Sequence, residues 1–469
     1  MFTKFLGDYE FIWGPVKKGV CESSYYHFLT SSEELHELDI TLGYKTRNAM
    51  NAAREKNNLY EQLLIMERIA GTHAFAASLS YCLAAEDYFG LTGKLPDCVK
   101  LIRMFFAELE RLRNHIENLA EISGSTYLEV PSSLYAYYAE KIKQISSETV
   151  FSRYLMGINT VGGTRLHNLL GHTFINNNND SNSRNNSNKN NDISSAHPAD
   201  YKCLEYIVKE IGSYMTDIEK IIKQNSETKS HIDRLKTTGK INPKIAEKLH
   251  AGGIVAKSAG INGDLRLKYP YLLYKDINMK PVLYNDGDAL SRYLVRIGEI
   301  RQSFDIMKIC FEKLTKNMSE PDIYNVHKQN HEHDHENYKN IADIVKLQHD
   351  DMRSKYNYSN SGGVNNSRSD NFSGMNNYGN GDGYGDIEQN LFLSGLPHGK
   401  YGFGSVESSE GSIFCITGSF DGKIFKKINI KYPFENNFKV FKHFTKNTMM
   451  MDFNINETSY NFSVAACDK

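Results

Sequence analysis

Between Arg103 and Ala120, apolar side chains recur at steps of four and three: Phe105, Leu109, Leu112, Ile116 and Leu119. That period puts them on one stripe of an α-helix, and such a stripe must be buried. On the same helix Glu108, Arg111 and His115 fall at i, i+3 and i+7 and form a polar line. Two readings of that line are open. A solvated ion-pair ladder is the commoner case on an isolated helix; the alternative is a polar seam buried against a neighbouring element. Ahead of this helix, Val20 to Thr30 and a short run near Leu38 to Thr41 read as strands, and helical sequence dominates from there to about Ile122. Thr228 to Ile300 mixes turns with the glycine-rich loops Ala251-Gly252-Gly253 and Ala259-Gly260-Ile261-Asn262-Gly263, and an amphipathic helix runs from about Gly287 to Leu314. Near the end of the chain Ser412 to Thr417 and Lys423 to Ile430 alternate around Ser419-Phe420-Asp421-Gly422, which is a hairpin with its turn chemistry in place. The pattern predicts an α+β fold, mainly helical, with small N-terminal and C-terminal β elements.

Two stretches interrupt it. Asn176 to about Asp192 is nearly all Asn, Ser and Asp, and about Asn330 to Asp386 is a His/Glu/Asp run followed by a Gly/Asn/Ser/Tyr tract around one helical patch, Ile341 to Leu347. Neither holds enough apolar side chains to offset the entropy of ordering. Both read as insertions. The chain therefore divides into a β-rich segment 1–45, the first half of a helical core 46–175, an Asn-rich insertion 176–199, the second half of the core 200–325, a low-complexity insertion 326–390, and a tail 391–469 that carries the hairpin.

Composition narrows the chemistry. Lys+Arg 55 against Asp+Glu 56 leaves a formal charge of -1, so no global field recruits nucleic acid or an anionic surface. The 7 cysteines stand at positions 21, 82, 98, 203, 310, 415 and 467, and no two lie three apart. That excludes a zinc ribbon or a cluster held by local Cys pairs, and it looks nothing like a secreted disulfide scaffold, so a reducing compartment is expected. Cys82 and Cys467 read as small hydrophobes. No run of about 18 apolar residues appears, and the first residues lack a signal-peptide core. No Gly-x-Gly-x-x-Gly follows a strand, so nicotinamide is not expected to bind here. His327, His331, His333 and His335 could chelate a metal, but in a low-complexity run that reads as adventitious.

A set of short motifs then occurs in order: Gly43-Tyr44-Lys45-x-Arg47, Glu67-Arg68-Ile69-x-Gly71, Ser78-Leu79-x-Tyr81 with Glu86, and Glu108-x-Glu110-Arg111-Leu112-x-Asn114-His115. Asp233-Arg234-Leu235 with Gly239, Ala256-Lys257-x-x-Gly260, Asp264-x-Arg266, Pro270-Tyr271, and Gly287-Asp288 with Arg292, Arg296 and Glu299 follow. Together they resemble the large subunit of membrane-bound, energy-converting [NiFe] hydrogenases, of the formate hydrogenlyase and hydrogenase-4 type, and the homologous large subunit of respiratory complex I (the D-type chain of NADH-quinone oxidoreductase). The resemblance runs from about residue 9 to the end, outside the insertions.

What departs from the family matters as much. There, nickel and iron hang from two Cys-x-x-Cys pairs. The first maps to Ala70 and His73, with a following histidine at Ala77. The second maps to Ser463 and Ala466, or one residue on to Val464 and Cys467. An alanine cannot donate to a metal, and one imidazole cannot replace a thiolate pair. A family glutamate implied in proton transfer becomes Met50, and the arginine over the metal pocket becomes Lys257, which keeps the charge without the planar fork. The histidine and tyrosine that contact quinone in the complex I branch are also missing: the turn reads Gly14-Pro15-Val16-Lys17-Lys18-Gly19, and the tyrosine position is Gly71.

The resemblance implies a large subunit without a NiFe centre. Such a subunit would bind no cofactor itself and would pass electrons from a partner iron–sulfur small subunit to a quinone or another small acceptor. His73 and Lys257 are the candidate catalytic residues. The alternative is a non-catalytic scaffold between that partner and membrane antiporter-like and anchor subunits. A third class is a ligand binder that merely inherits the fold. Glu108, Glu110, Arg111, His115, Asp264, Arg266, Arg292, Arg296 and Glu299 are the expected polar relay or interface. A peripheral position on the cytoplasmic side of the cell membrane follows from the same resemblance. His73 on its own reads as a satisfied interior histidine, whereas a retained Lys257 in an otherwise apolar pocket needs an anionic partner or ligand.

Overall fold

The computed structural model describes residues 8–15, 23–165, 202–317 and 399–469. Both insertions, 176–199 and 326–390, lie outside these residues, as do His327 to His335, Cys21 and Val16 to Gly19. The fold is α+β and mainly helical, with sheets near each end.

Strands β1 (Asp8–Trp13), β2 (Tyr25–Ser31), β3 (Glu34–Thr41) and the two-residue β9 (Thr448–Met449) form an antiparallel sheet in the order β1-β2-β3-β9. β1 was not signalled by the sequence pattern, and its burial is only partial because it is an edge. Beneath this sheet Tyr26, Phe28, Leu35 and Leu38 pack on Val440, Phe441, Phe453 and Tyr460 of α12 (Phe434–Phe444) and α13 (Phe453–Tyr460).

The main core is helical. Short helices α1 (Ala49–Arg54) and α2 (Leu59–Met66) lead through a single 3-10 turn, Gly71–His73, into α3 (Ala74–Phe89). Then come α4 (Asp97–Ser125), α5 (Glu129–Val150), the two-residue pair β4 (Asn159–Thr160) and β5 (Gly163–Thr164), and α6 (Lys202–Glu227). α7 (Lys229–Leu235), α8 (Pro243–Lys248), α9 (Gly253–Ser258) and α10 (Leu265–Lys268) are short, and α11 (Ala289–Asn317) is long. The predicted stripe of α4 is buried throughout: Phe105, Leu109, Leu112, Ile116 and Leu119 all lie in the core. α4 is flanked by α11, α5 and α13.

The C-terminal sheet holds three antiparallel strands, β6 (Tyr401–Ser408), β7 (Gly411–Phe420) and β8 (Phe425–Lys431). The predicted hairpin is β7–β8, and Asp421 Oδ1 accepts the N–H groups of Lys423 and Ile424 at 2.9 Å in its turn. β6 lies directly on α3. A Cβ at Gly402 would stand 2.0 Å from Ala84 O, and one at Gly404 would stand 2.1 Å from Ser80 O. α3 answers with small side chains, Ala76, Ala77, Ser80 and Ala84, so backbone packs on backbone. Gly404→Ala is therefore expected to force the strand off the helix and cost roughly 1–3 kcal/mol, as overpacking does; the urea-unfolding midpoint of the variant checks this.

Candidate functional site

The polar line of α4 is buried, which corrects the commoner reading of a solvated ladder. Glu108, Arg111 and His115 are each at most 1% exposed because α11, α10 and the β6–β7 turn cover that face. A carboxylate or guanidinium out of water must be paired, and here each one is. Arg266, just inside α10, donates twice to Glu108 (3.1 and 3.2 Å) and also to Asp264 (2.8 and 3.1 Å). Glu108 further accepts from Tyr274 Oη (2.6 Å) and Ser303 Oγ (2.7 Å). Arg111 donates to Glu299 (3.3 Å) and to the carbonyls of Ser408 (2.8 Å) and Glu407.

Lys257 lies in the same cluster. Its pocket is charged, not apolar: Nζ stands 2.8 Å from Asp264, 2.6 Å from Glu299 and 3.4 Å from Glu407. Burial alone would pull this ammonium down; the three carboxylates overturn that and hold it above its ordinary value. Burial likewise pushes at the acids, but Arg266 and Lys257 hold Asp264 well below the usual carboxylate range, and Lys257, His115 and Arg111 do so for Glu299.

His115 extends the cluster. Its Nδ1 is 3.2 Å from Arg296 Nη1, which can only donate, so Nδ1 accepts and the proton sits on Nε2, 2.9 Å from Glu299. The ring is thus neutral, in keeping with the downward shift that burial imposes. Arg296 in turn makes a two-pronged pair with Glu410 (2.7 and 2.8 Å).

Glu410 links this cluster to the His73 segment, which the resemblance aligns with the first metal-ligand pair. Ser409 and Glu410 are the two turn residues between β6 and β7, and both side chains are buried. This tip sits against Gly253, where a Cβ would be 2.1 Å from Glu410 O and the backbone has φ +54. Glu410 reaches Arg296. Ser409 Oγ lies 3.2 Å from His73 Nε2 and accepts from Asn114 Nδ2 at 3.1 Å, while Asn114 also donates to Thr72 O at 2.9 Å. His73 Nδ1 is 2.8 Å from Thr72 Oγ1, and its ring meets Phe434 edge-on. Burial pushes this imidazole down to about 4.

Arg47 also joins the two segments that the resemblance aligns with the ligand pairs. Arg47 donates to Arg68 O (3.2 Å), Ile69 O and Ala465 O (3.4 Å), so it clips the tail to the residues before Ala70. Ala70, Val464 and Ala466 are buried apolar side chains; Ser463 and Cys467 are half-buried. This donor set does not fit a thiolate-held bimetallic centre, since it offers one imidazole already hydrogen-bonded on both nitrogens and a single thiol. Among the described residues no group of three or more His, Cys, Asp or Glu is arranged to hold a metal ion.

Two expected relay residues stand apart. Glu110 caps α3 across the helix interface, accepting from Phe75 N (2.7 Å) and Ala76 N (3.0 Å); burial raises it to about 7 despite Arg113. Arg292 anchors α13 through Ser459 Oγ (2.8 Å) and Asn456 Oδ1 (2.9 Å), with its guanidinium over the Tyr460 ring. Glu407, Ser409 and Glu410 were missed by sequence reasoning. Their only local signal is two glutamates flanking Ser408-Ser409 before Gly411, which reads as an exposed turn until α9 and α11 are placed over it.

Comparison with known proteins places this geometry in context. Residues 194–370 match the family described as respiratory-chain NADH dehydrogenase, 49 Kd subunit. The chain is 25% identical over 315 residues to the C/D-type chain of NADH-quinone oxidoreductase from Hydrogenobaculum sp., covering 66% of this chain and 49% of that protein. It is 23% identical over 310 residues to the membrane-bound hydrogenase subunit alpha of Pyrococcus furiosus, covering 64% of each. The match to NADH-quinone oxidoreductase subunit 4 of Thermus thermophilus is 28% over 285 residues, 61% of each chain. The matched stretch thus spans about half to two-thirds of these relatives' length. A chain in the structure of the membrane-bound sulfane sulfur reductase, an archaeal respiratory membrane complex, has the same fold over 100% of both chains, with TM-score 0.68 and 15% identity.

Arg296→Met leaves Glu410 buried without its partner and is expected to cost about 3–5 kcal/mol. Arg301→Met, which breaks an exposed pair with Glu219, should cost less than about 1 kcal/mol; chemical denaturation of both variants tests the contrast. His73 is held below the ordinary histidine value of about 6.5, so the folded state resists a proton that the unfolded chain accepts. Stability from this group is lost as pH falls from there to about 4. His73→Gln should therefore gain on the wild type across that window in denaturation midpoints.

Proposed function

From a chain related to the 49 kDa subunit of respiratory NADH dehydrogenase and to membrane-bound hydrogenase large subunits, we propose the following role. It is the large subunit of a membrane-associated oxidoreductase complex. It has no NiFe centre, and it presents Thr72-His73 to a small acceptor that an iron–sulfur partner subunit reduces. No described helix is long and apolar enough to cross a membrane, so attachment would come through membrane subunits of the complex. The observation that carries the reading is the continuous link from His73 through Ser409 and Glu410 to the buried charges on α4 and α11. His73 is neutral at pH 7, and both its partners, Thr72 and Ser409, are hydroxyls that can turn to release a ring nitrogen to an incoming acceptor. A quinone carbonyl or the terminal sulfur of a polysulfide suits such a donor.

One observation favours the second reading, a non-catalytic scaffold. Lys257 is already saturated by three carboxylates, which leaves it as a structural cation and not as a group for substrate.

The test is made on the purified complex. Metal analysis is expected to give iron without stoichiometric nickel, and nickel bound to this subunit would overturn the reading. His73→Ala is expected to weaken acceptor reduction by about tenfold, the worth of one hydrogen bond, with quinone and polysulfide assayed separately. Unchanged rates with both acceptors would favour the scaffold.

A further inference from the structure

The buried cluster carries an unequal number of charges. Linked by contacts within 4.0 Å are four cations, Arg111, Lys257, Arg266 and Arg296, and five carboxyls, Glu108, Asp264, Glu299, Glu407 and Glu410. His115 is neutral by its hydrogen bonds and joins the two parts. With every carboxyl ionised the cluster would hold one negative charge in excess, sealed from water. A lone excess charge at such depth is neutralised by a proton before it is tolerated.

The contacts single out one carboxyl. Glu108 takes Arg266 Nη1 on both oxygens, Arg111 and two hydroxyls; Asp264 takes a two-pronged Arg266 and Lys257; Glu299 takes Lys257, Arg111 and His115; Glu410 takes a two-pronged Arg296 and Asn461. Glu407 has a single cation, Lys257, at 3.4 Å, the longest contact of that lysine. Its other oxygen faces only neutral groups, Leu265 N at 3.3 Å and Ser412 Oγ at 2.9 Å. Arg111 meets its carbonyl, and the Tyr271 hydroxyl accepts from its N–H at 3.1 Å. Asp264 adds a like charge nearby, against Lys257, Arg111 and Arg266. Ser412, the cross-strand neighbour of Glu407 whose hydroxyl donates to it, is only half-buried and so stands between that carboxyl and solvent.

We infer that the cluster is a one-proton store, with the proton on Glu407 and Ser412 as its route to solvent. A proton from water passes through the Ser412 hydroxyl, which gives its own proton to Glu407 Oε2 and takes the incoming one. The carboxylate becomes a carboxylic acid and the cluster becomes neutral. The burial that raises this carboxyl above its ordinary value agrees with that site, while Glu108, Asp264, Glu299 and Glu410 are all lowered. The inference holds whether the chain is catalytic or a scaffold.

Glu407→Gln tests it in the full chain, because glutamine copies the neutral acid and loses only the weak contact from Leu265 N. The variant is expected to fold, to lack one infrared band of a protonated carboxyl present in the wild type at neutral pH, and to gain stability over the wild type as pH rises. The sign follows from a raised carboxyl: the folded wild type holds a proton that the unfolded chain releases, so wild-type stability falls as pH climbs from the ordinary carboxylate range through the Glu407 value. Ser412→Ala should keep that band but slow its deuterium exchange. A Glu407→Gln protein that fails to fold, or one that keeps every protonated-carboxyl band, would overturn the assignment.

Discussion

A charged group taken out of water must find its opposite. That constraint organises this protein. Transfer of one ion to the interior costs several kcal/mol even after relaxation, and nine ionisable carboxyl, ammonium and guanidinium groups are gathered between α4, α9, α10, α11 and the β6–β7 turn. Pairs inside one element, Glu108–Arg111 in α4 and Asp264–Arg266 at α10, do not complete the cluster by themselves. Arg111 of α4 needs Glu299 of α11, Lys257 of α9 needs Glu299 and Asp264, and Arg296 of α11 needs Glu410 of the turn. The helices can therefore take their places only together, and apolar packing of the α4 stripe supplies the stability that the charges themselves do not.

The same constraint bears on the segment around His73, which the resemblance aligns with the family's first ligand pair. Ala70 and Ala466 are buried in the same apolar core, and Arg47 ties the tail to the residues before Ala70. His73 is held by hydroxyls, one of them on Ser409, next to Glu410. His73 is thus fastened, through Ser409 and its neighbour Glu410, to the charge cluster. Glu110 completes the fastening by capping α3 just beyond His73.

Much of the fold was legible in the sequence. The α4 stripe, the long helix near residues 289–317 and the β7–β8 hairpin follow from period and turn chemistry that each segment carries within itself. The convergence of Glu108, Arg111, His115, Asp264, Arg266, Arg296 and Glu299 was expected only through the family resemblance. Their burial was not legible, because a charged face is solvated or sealed according to partners more than a hundred residues away. Glu407 and Glu410 are the clearest case: Gly411 and paired serines suggest a solvated turn, while the actual tip lies under α9, admitted by Gly253. Lys257 was recognised as a cation in need of a partner, but its partners had no local mark in the sequence. β1 was missed because an edge strand needs little apolar alternation.

If the charge cluster holds the His73 segment in place, the two must loosen together. Hydrogen exchange of the full chain carrying Glu410→Gln measures this directly. Protection is predicted to fall both at the β6–β7 turn and across Gly71 to Ala76, although the carboxylate of Glu410 hydrogen-bonds to Arg296 and Asn461. Loss confined to the turn and α11, with Gly71 to Ala76 as protected as before, would contradict the account.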